Sequence, residues 1–289
     1  MGQNLEKYFQ SKNKKTKAVF LRDGNWKEKF FPNTDAIIHL AGKSHDIKNA
    51  ALSAEYFQVN TELTKKIFDF FLLSPIRDFI FLSSVKAVTD RVDGVLGEEV
   101  IPDPHTIYGQ SKLKAEEYIL SKYPLKEKRI FILRPCMIHG PGNKGNLNLL
   151  YKMVKKGIPY PLAAFENRRS FLSISNLLFI IDQILSNPAV PGGIYNVADD
   201  EPLSTIDVIN IIGEGGQIKP RIWKISPTVI KAIAQAGNKL HFPLNSDRLK
   251  KLTESYVVSN QKIKGVLDIC SLRVSSRDGL LETIKSFGR

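Results

Sequence analysis

Short, almost wholly apolar segments recur along the chain, separated by stretches whose apolar residues fall at helical spacing. Asp35 to Gly42 (DAIIHLAG), Asp78 to Ser84 (DFIFLSS) and Arg129 to Pro135 (RIFILRP) are of the first kind. A strand that is apolar throughout must be covered on both faces, the condition of a strand inside a parallel sheet flanked by helices. Lys17 to Asp23 (KAVFLRD) reads as a further such strand. Between these segments Tyr56, Val59, Leu63, Ile67 and Phe70 suit an amphipathic helix over Ser53 to Leu73, stopped by Pro75, and Tyr108 to Lys122 reads as the next helix. The alternation predicts an α/β fold with a doubly wound parallel sheet.

After Pro141 the texture changes. A turn rich in glycine and asparagine (PGNKGNLN) leads into a helix near Leu147 to Lys156, a short strand at Arg168 to Leu172, an apolar helix to about Leu185 and a strand at Gly193 to Ala198. The rest reads as short helices with turn-rich joins. The expected division is a sheet-bearing region over 1–140 and a smaller mixed α/β region over 141–289, partly interleaved with the sheet.

Lys and Arg number 42 against 29 Asp and Glu, a formal net charge of +13. Such an excess suits nucleic acid, a membrane surface or phosphorylated small molecules, or else a lysine-rich solvated surface. It is dense only over Ser11 to Lys17, and neither zinc-finger spacing nor the aromatic-plus-basic pattern of an RNA-binding sheet accompanies it, so nucleic acid is not expected. Two cysteines, Cys136 and Cys270, cannot build a disulfide framework, and five scattered histidines give no metal site. The longest apolar runs fall far short of the ~18 residues that cross a bilayer, and no leader pattern is present; a cytoplasmic chain is expected.

The strongest chemical signal is Tyr108-Gly109-Gln110-Ser111-Lys112. Residues four apart share one face of a helix, so phenol and ammonium can reach one pocket. A phenol with an ordinary pKa near 10 is a poor base at neutral pH, and a nearby ammonium lowers that value, making proton transfer at an alcohol or carbonyl feasible. Tyr and Lys at this spacing are also common on exposed helices. The strand DFIFLSS, however, ends at Ser83 and Ser84 ahead of the tyrosine. Ligands of open parallel sheets bind beyond the carboxyl ends of the strands, where such a hydroxyl could meet the same substrate oxygen.

With these residues in place the sequence resembles the extended short-chain dehydrogenase/reductase family, in its NAD-dependent epimerase/dehydratase branch. HLAG (His39 to Gly42), VNTELTKKIF from Val59, FLSS, YGQSK, LRPCMIHGPG (Leu133 to Gly142), RRSFLSISNL from Arg168 and YNVADDEPLST from Tyr195 follow in family order over nearly the whole chain. The resemblance implies a Rossmann-type dinucleotide-binding domain over 1–140 and a substrate-binding region over 141–289. It implies NAD or NADP as cofactor, a UDP-sugar as substrate and a homodimer packed through the Tyr-x-x-x-Lys helix. Tyr108 is then the acid/base, Lys112 binds the nicotinamide ribose and tunes it, and Ser84 binds the reacting oxygen. Gly2, Arg22, Asp23, Leu40, Ala41, Gly42, Asn60, Ser83 and Pro135 fall in cofactor-binding segments. Lys86, Arg169 and Arg248 are the substrate-side candidates, Arg169 as a contact to the nucleotide diphosphate. Ser175 and Asn176 stand where the family carries two aspartates. Dehydratases of the family place Asp-Glu directly after the hydroxyl residue; Val85 and Lys86 stand here and cannot do that carboxyl chemistry. The pattern therefore resembles 4-epimerases and 4-keto reductases acting on UDP-hexoses or UDP-N-acetylhexosamines, in surface-polysaccharide precursor synthesis.

One part of the family pattern is missing. Its first strand and Gly-x-x-Gly-x-x-Gly turn bring the cofactor pyrophosphate against a helix N-terminus. Here Gly2 stands in the third glycine position, with no strand and no two glycines before it. Either roughly a dozen residues precede this sequence in the natural protein, or the chain is a cofactor-poor relative that binds nucleotide sugars without turning them over. Arg22 suits the 2′-phosphate of NADP and Asp23 the ribose of NAD, and the pair leaves the choice open. His39 reads as a core histidine, His45 and Asp46 as a polar loop near substrate, His105 as surface, Cys136 as packing, and Arg221 beside Arg248 as a further phosphate candidate.

Overall fold

The computed structural model describes residues 1–22, 24–31, 33–44, 53–122, 127–143, 145–240 and 245–288. Asp23, His45 and Asp46 lie outside them. The chain opens with helix α1 (Gly2–Ser11), then strand β1 (Ala36–His39), α2 (Ser53–Tyr56), a π-helical turn over Phe57–Glu62, α3 (Leu63–Leu73), β2 (Asp78–Leu82), β3 (Val95–Leu96) and α4 (Ile107–Leu120). There follow β4 (Arg129–Pro135), β5 (Met137–His139), α5 (Asn146–Lys155), β6 (Phe171–Ser173), α6 (Ile174–Ser186) and β7 (Gly193–Val197). The last part holds α7 (Thr205–Gly216), α8 (Pro227–Leu240), α9 (Ser246–Thr253), β8 (Val257–Val258), α10 (Gln261–Leu267) and α11 (Ser276–Lys285).

The central sheet runs β1-β2-β4-β7, all parallel. Ala36 lies opposite Asp78, Asp78 opposite Arg129, and Pro135 opposite Val197, so the carboxyl ends of the strands come together at one edge. Side chains alternate across the sheet. Ile80, Leu82, Phe131 and Leu133 face Leu5 and Phe9 of α1 and Leu177, Ile180 and Ile181 of α6. Phe79, Phe81 and Ile132 face Phe68 and Phe71 of α3, Ala115 and Ile119 of α4, and Trp26. A further cluster joins Leu147 and Tyr151 of α5, Val208 and Ile212 of α7, Ile230 and Ala234 of α8, and Leu280 and Ile284 of α11. Two-sided burial is what the continuous apolar runs demanded. β4 forms over the whole predicted segment, β2 over most of it, and β7 joins the sheet from within the later half of the chain.

Two expectations need correction. No strand forms over 17–22. A strand needs a ladder partner, and this segment has none among the described residues; Val19 and Leu21 bury part of their side chains against the Trp26–Phe30 cluster instead. The helix expected over Ser53 to Leu73 is interrupted by the wide turn at Phe57–Glu62. Wide turns of this kind are rare and frequently lie at functional sites.

Helix α1 is tied to α6 by charge. Asp182, buried on α6, accepts from Lys12 Nζ at 2.9 Å and Lys14 Nζ at 2.6 Å. Burial pushes its carboxyl up, but the two lysines outweigh that and hold it below its ordinary value.

Candidate active site

A cavity of about 700 Å³ opens at the carboxyl edge of the sheet, between the segments that leave β1, β2 and β4. Ser83 and Ser84 leave β2 there, Tyr108 and Lys112 enter from the first turns of α4, and Leu40, Gly42 and Pro135 complete the neighbouring wall. The start of α4 is closely specified. Asp90 accepts from the backbone N–H groups of His105 (2.8 Å) and Thr106 (2.9 Å), and the Thr106 hydroxyl caps the helix by accepting from Gly109 N at 3.2 Å. Gly109 is obligatory: a Cβ there would lie 2.2 Å from the carbonyl oxygen of Lys86. This close approach sets Tyr108 beside Ser84, and Ser84 Oγ in turn accepts from Lys86 N at 3.2 Å.

Lys112 is buried. Its ammonium donates to the carbonyl of Leu82 at 2.9 Å and sits 4.7 Å over the Phe81 ring. Burial lowers its pKa to about 8, with the Glu116 carboxylate one turn on pulling the other way. For Tyr108, burial pushes the phenol above its ordinary value and the hydrogen bond with Ser84 works against that. The depression expected from Lys112 is therefore not found, because burial dominates and the ammonium is engaged by Leu82.

Beneath the dyad lies a buried ion pair that the sequence reading missed. Arg134 of β4 reaches Glu116 of α4 through Nε, 3.1 Å from each carboxylate oxygen, and through Nη2 at 2.5 Å from Oε2. The Ser83 hydroxyl also donates to Glu116. Glu116 is 0 % exposed and Arg134 3 %. Asn60, assigned to cofactor binding, makes its contacts within the protein. Its side chain accepts from Lys43 N (2.7 Å) and donates to Lys43 O (3.0 Å) and Ser111 Oγ (2.9 Å), clamping the segment after β1 onto α4. That clamp brings Gly42 so near Lys112 that a Cβ would stand 3.0 Å from Nζ.

The substrate-side candidates separate. Lys86 and Arg169 line the cavity; Arg248 is exposed on α9 outside its lining. Lys86 Nζ donates to Asp90 O at 3.1 Å and lies 4.0 Å over the Tyr256 ring, and burial holds its ammonium below the ordinary value. Arg169 donates Nε to Glu254 O at 3.2 Å and Nη2 to Lys251 O, leaving three of its five N–H groups for other acceptors. Of the remaining cofactor candidates, Gly2, Arg22 and Ala41 do not line the cavity, whereas Met1 and Asn4, on either side of Gly2 and not singled out in the sequence, do. Asn176, where the family carries an aspartate, ties α6 to Asp199 (2.8 Å) and to both backbone groups of Val274. Tyr256 and His139 also line the cavity; Tyr256 carried no signal in the sequence, and His139 stood only within the LRPCMIHGPG segment. His39 is a core histidine: buried, hydrogen-bonded to Thr64 Oγ1 at 2.9 Å, and lowered by burial to a pKa of about 3.

The family model described as "NAD dependent epimerase/dehydratase family" matches residues 3–198. The UDP-glucose 4-epimerase of Vibrio cholerae is 31 % identical over 182 residues, 61 % of this chain and 56 % of the relative, so the match spans little more than half of that protein's length. The N-acetyl-alpha-D-glucosaminyl-diphospho-ditrans,octacis-undecaprenol 4-epimerase of Escherichia coli O157:H7 is 26 % identical over 253 residues, 84 % of this chain and 71 % of the relative. Among solved structures, that of RMD from Pseudomonas aeruginosa complexed with NADPH superimposes with a TM-score of 0.74 at 19 % identity, covering 99 % of this chain and 94 % of that one. The matched residues make up well over half of the chain, which belongs to the NAD dependent epimerase/dehydratase family.

Proposed function

We propose that the protein is an NAD(P)-dependent nucleotide-sugar 4-epimerase or 4-keto reductase acting on a UDP-hexose or UDP-N-acetylhexosamine. The observation that carries this reading is the Ser84–Tyr108 pair at the sheet edge with buried Lys112 one helical turn behind it, and Val85 and Lys86 in the positions following Ser84. A bound nicotinamide cofactor would supply or accept the hydride at the sugar carbon. The residues present fit its nicotinamide–ribose half. Lys112 and the close-packed Gly42 form one wall, and the N-terminus of α1 faces the cavity as an anion site for the pyrophosphate.

Ser84 and Tyr108 hold the reacting oxygen between two hydroxyls. Tyr108, raised by burial, is protonated at neutral pH, the form that gives a keto oxygen its proton as the carbon is reduced. Lys112 is the cation available to stabilise the phenolate left behind. Arg169 presents its remaining N–H groups to the diphosphate, and Lys86 serves the sugar side. The reading includes a cytoplasmic location and a homodimer packed through α4, which carries exposed Ile107 at its start and Leu120 at its end. Among the described residues no helix is long and apolar enough to cross a membrane.

Tyr108→Phe tests the mechanism. Turnover of the keto-sugar should fall by at least about 10²-fold while UDP-sugar binding by calorimetry stays near the unmodified value. Turnover retained in the variant rejects the role of Tyr108. UDP-sugar binding without NAD(H) binding in the unmodified chain favours a binding module over an enzyme.

A further inference from the structure

Charge is segregated in the later part of the chain. The 32 residues from 215 to 246 contain no Asp or Glu and five bases: Lys219, Arg221, Lys224, Lys231 and Lys239. Within the same segment Trp223 is 55 % exposed, Val229 50 % and Ile233 47 %, and Leu252 on the neighbouring α9 is 48 % exposed. Helix α8 thus has two apolar flanks. Ile230 and Ala234 seal the inner one against the α5–α7–α11 core, while Val229 and Ile233, four residues apart, form a stripe in solvent. Lys219, Arg221 and Lys224 in the stretch leading into α8, and Lys231 on the flank of α8 away from the stripe, are all exposed. A face meant only for water would carry polar side chains in that stripe. An exposed tryptophan and aliphatic stripe in a segment that carries five bases and no carboxylate suits the boundary between anionic headgroups and acyl chains.

We propose that the α8–α9 face docks on the surface of an anionic lipid bilayer, as an interfacial contact rather than a span. The excess of positive charge then has a partner, and the apolar stripe a medium to enter. Docking also bears on the cavity, because α9 belongs to both. Lys251 and Glu254 line the cavity, their carbonyls hold the Arg169 guanidinium, and α9 packs against α8. The proposal does not depend on the reaction catalysed.

The test uses the full chain with vesicles of phosphatidylcholine alone or mixed with phosphatidylglycerol. The protein should sediment with the anionic vesicles and stay in solution with the zwitterionic ones. Tryptophan emission should shift to the blue on binding, and the signal belongs to Trp223, since Trp26 is already buried at 7 % exposure. Trp223→Ser should remove the shift, and Lys219→Glu with Lys224→Glu should weaken partition at least about tenfold, with the far-ultraviolet circular dichroism unchanged. No sedimentation with anionic vesicles overturns the proposal, and so does partition that the double charge reversal leaves intact. A concentration-dependent dimer abolished by Trp223→Ser assigns the face to a second copy of the chain and overturns it equally.

Discussion

Replacing Glu116 by glutamine probes the buried pair under the site. The substitution keeps the side-chain shape and removes the charge. Arg134, 3 % exposed and unable to lose its proton, is left in the interior with a neutral partner. In the native arrangement it makes three contacts of 2.5 to 3.1 Å to one carboxylate, and breaking a buried pair from one side costs ~3–5 kcal/mol. Glutamine preserves one acceptor, so the lower figure of about 3 kcal/mol applies. With a urea slope of ~3 kcal/mol per molar, the unfolding midpoint should fall by about 1 M, followed by the fluorescence of Trp26 packed on the sheet. Replacing both partners, Glu116→Leu with Arg134→Met, should recover most of the loss, because no charge is then stranded. A second consequence reaches Lys112, whose pKa of about 8 is set by burial against the pull of Glu116. Without that carboxylate it drops further, and the alkaline limb of any Lys112-dependent turnover moves to lower pH. A single variant less than about 1 kcal/mol below the unmodified protein would refute the account of the pair.

Gly109→Ala should place a Cβ 2.2 Å from the Lys86 carbonyl, force apart the turn after β2 and the start of α4, and lower turnover more than it lowers UDP-sugar affinity. Steady-state kinetics beside calorimetry would show this, and an unaffected turnover number contradicts the tight-approach argument. His39 stays neutral in the fold to about pH 3, whereas the unfolded chain takes up a proton near 6.5, so stability is lost as pH falls between those values. The loss should reach ~3 kcal/mol near pH 4, and urea titrations of His39→Leu should show a flatter slope; an identical slope in both proteins contradicts the assignment.

The sheet was legible where burial is two-sided. DFIFLSS and RIFILRP have no polar face to mislead, and both became interior strands within two residues of the expected bounds. KAVFLRD has the same texture, yet its described residues 17–22 form no strand, because composition describes what a segment could bury and says nothing of a partner for its ladder. The dyad was legible because Tyr108 and Lys112 are a helical turn apart and Ser84 ends a recognisable strand. Glu116 was not. It stands beside Glu117 in a run of charged helix residues, and only the packing of α4 on the sheet turns one inward to Arg134 and leaves the other in water. Asn60 was found by its motif, and its buried amide, bonded to Lys43 and Ser111, clamps one wall of the cavity. Tyr256, held by its hydroxyl to Thr89 O at 2.8 Å, arrives from a distant segment that no local pattern links to the site.

The wide turn at Phe57–Glu62 makes the site sensitive to chain length in a way that point substitutions do not reveal. A regular helix turns by ~100° per residue and a π turn by less, so the six residues here complete about the rotation of five in α geometry; removing one would restore a regular helix with its flanks nearly in register but without the arrangement that Asn60 and Thr61 now share. Thr64, which donates to Asn60 O at 2.7 Å and pairs with His39, would keep its place, while the amide that grips the segment after β1 would point elsewhere. Asn60 and Thr61 both reach Ser111 from consecutive positions, through its hydroxyl and its carbonyl respectively, and a regular helix would hold at most one of them there. The number of residues within Phe57–Glu62 is what lets both of them reach Ser111.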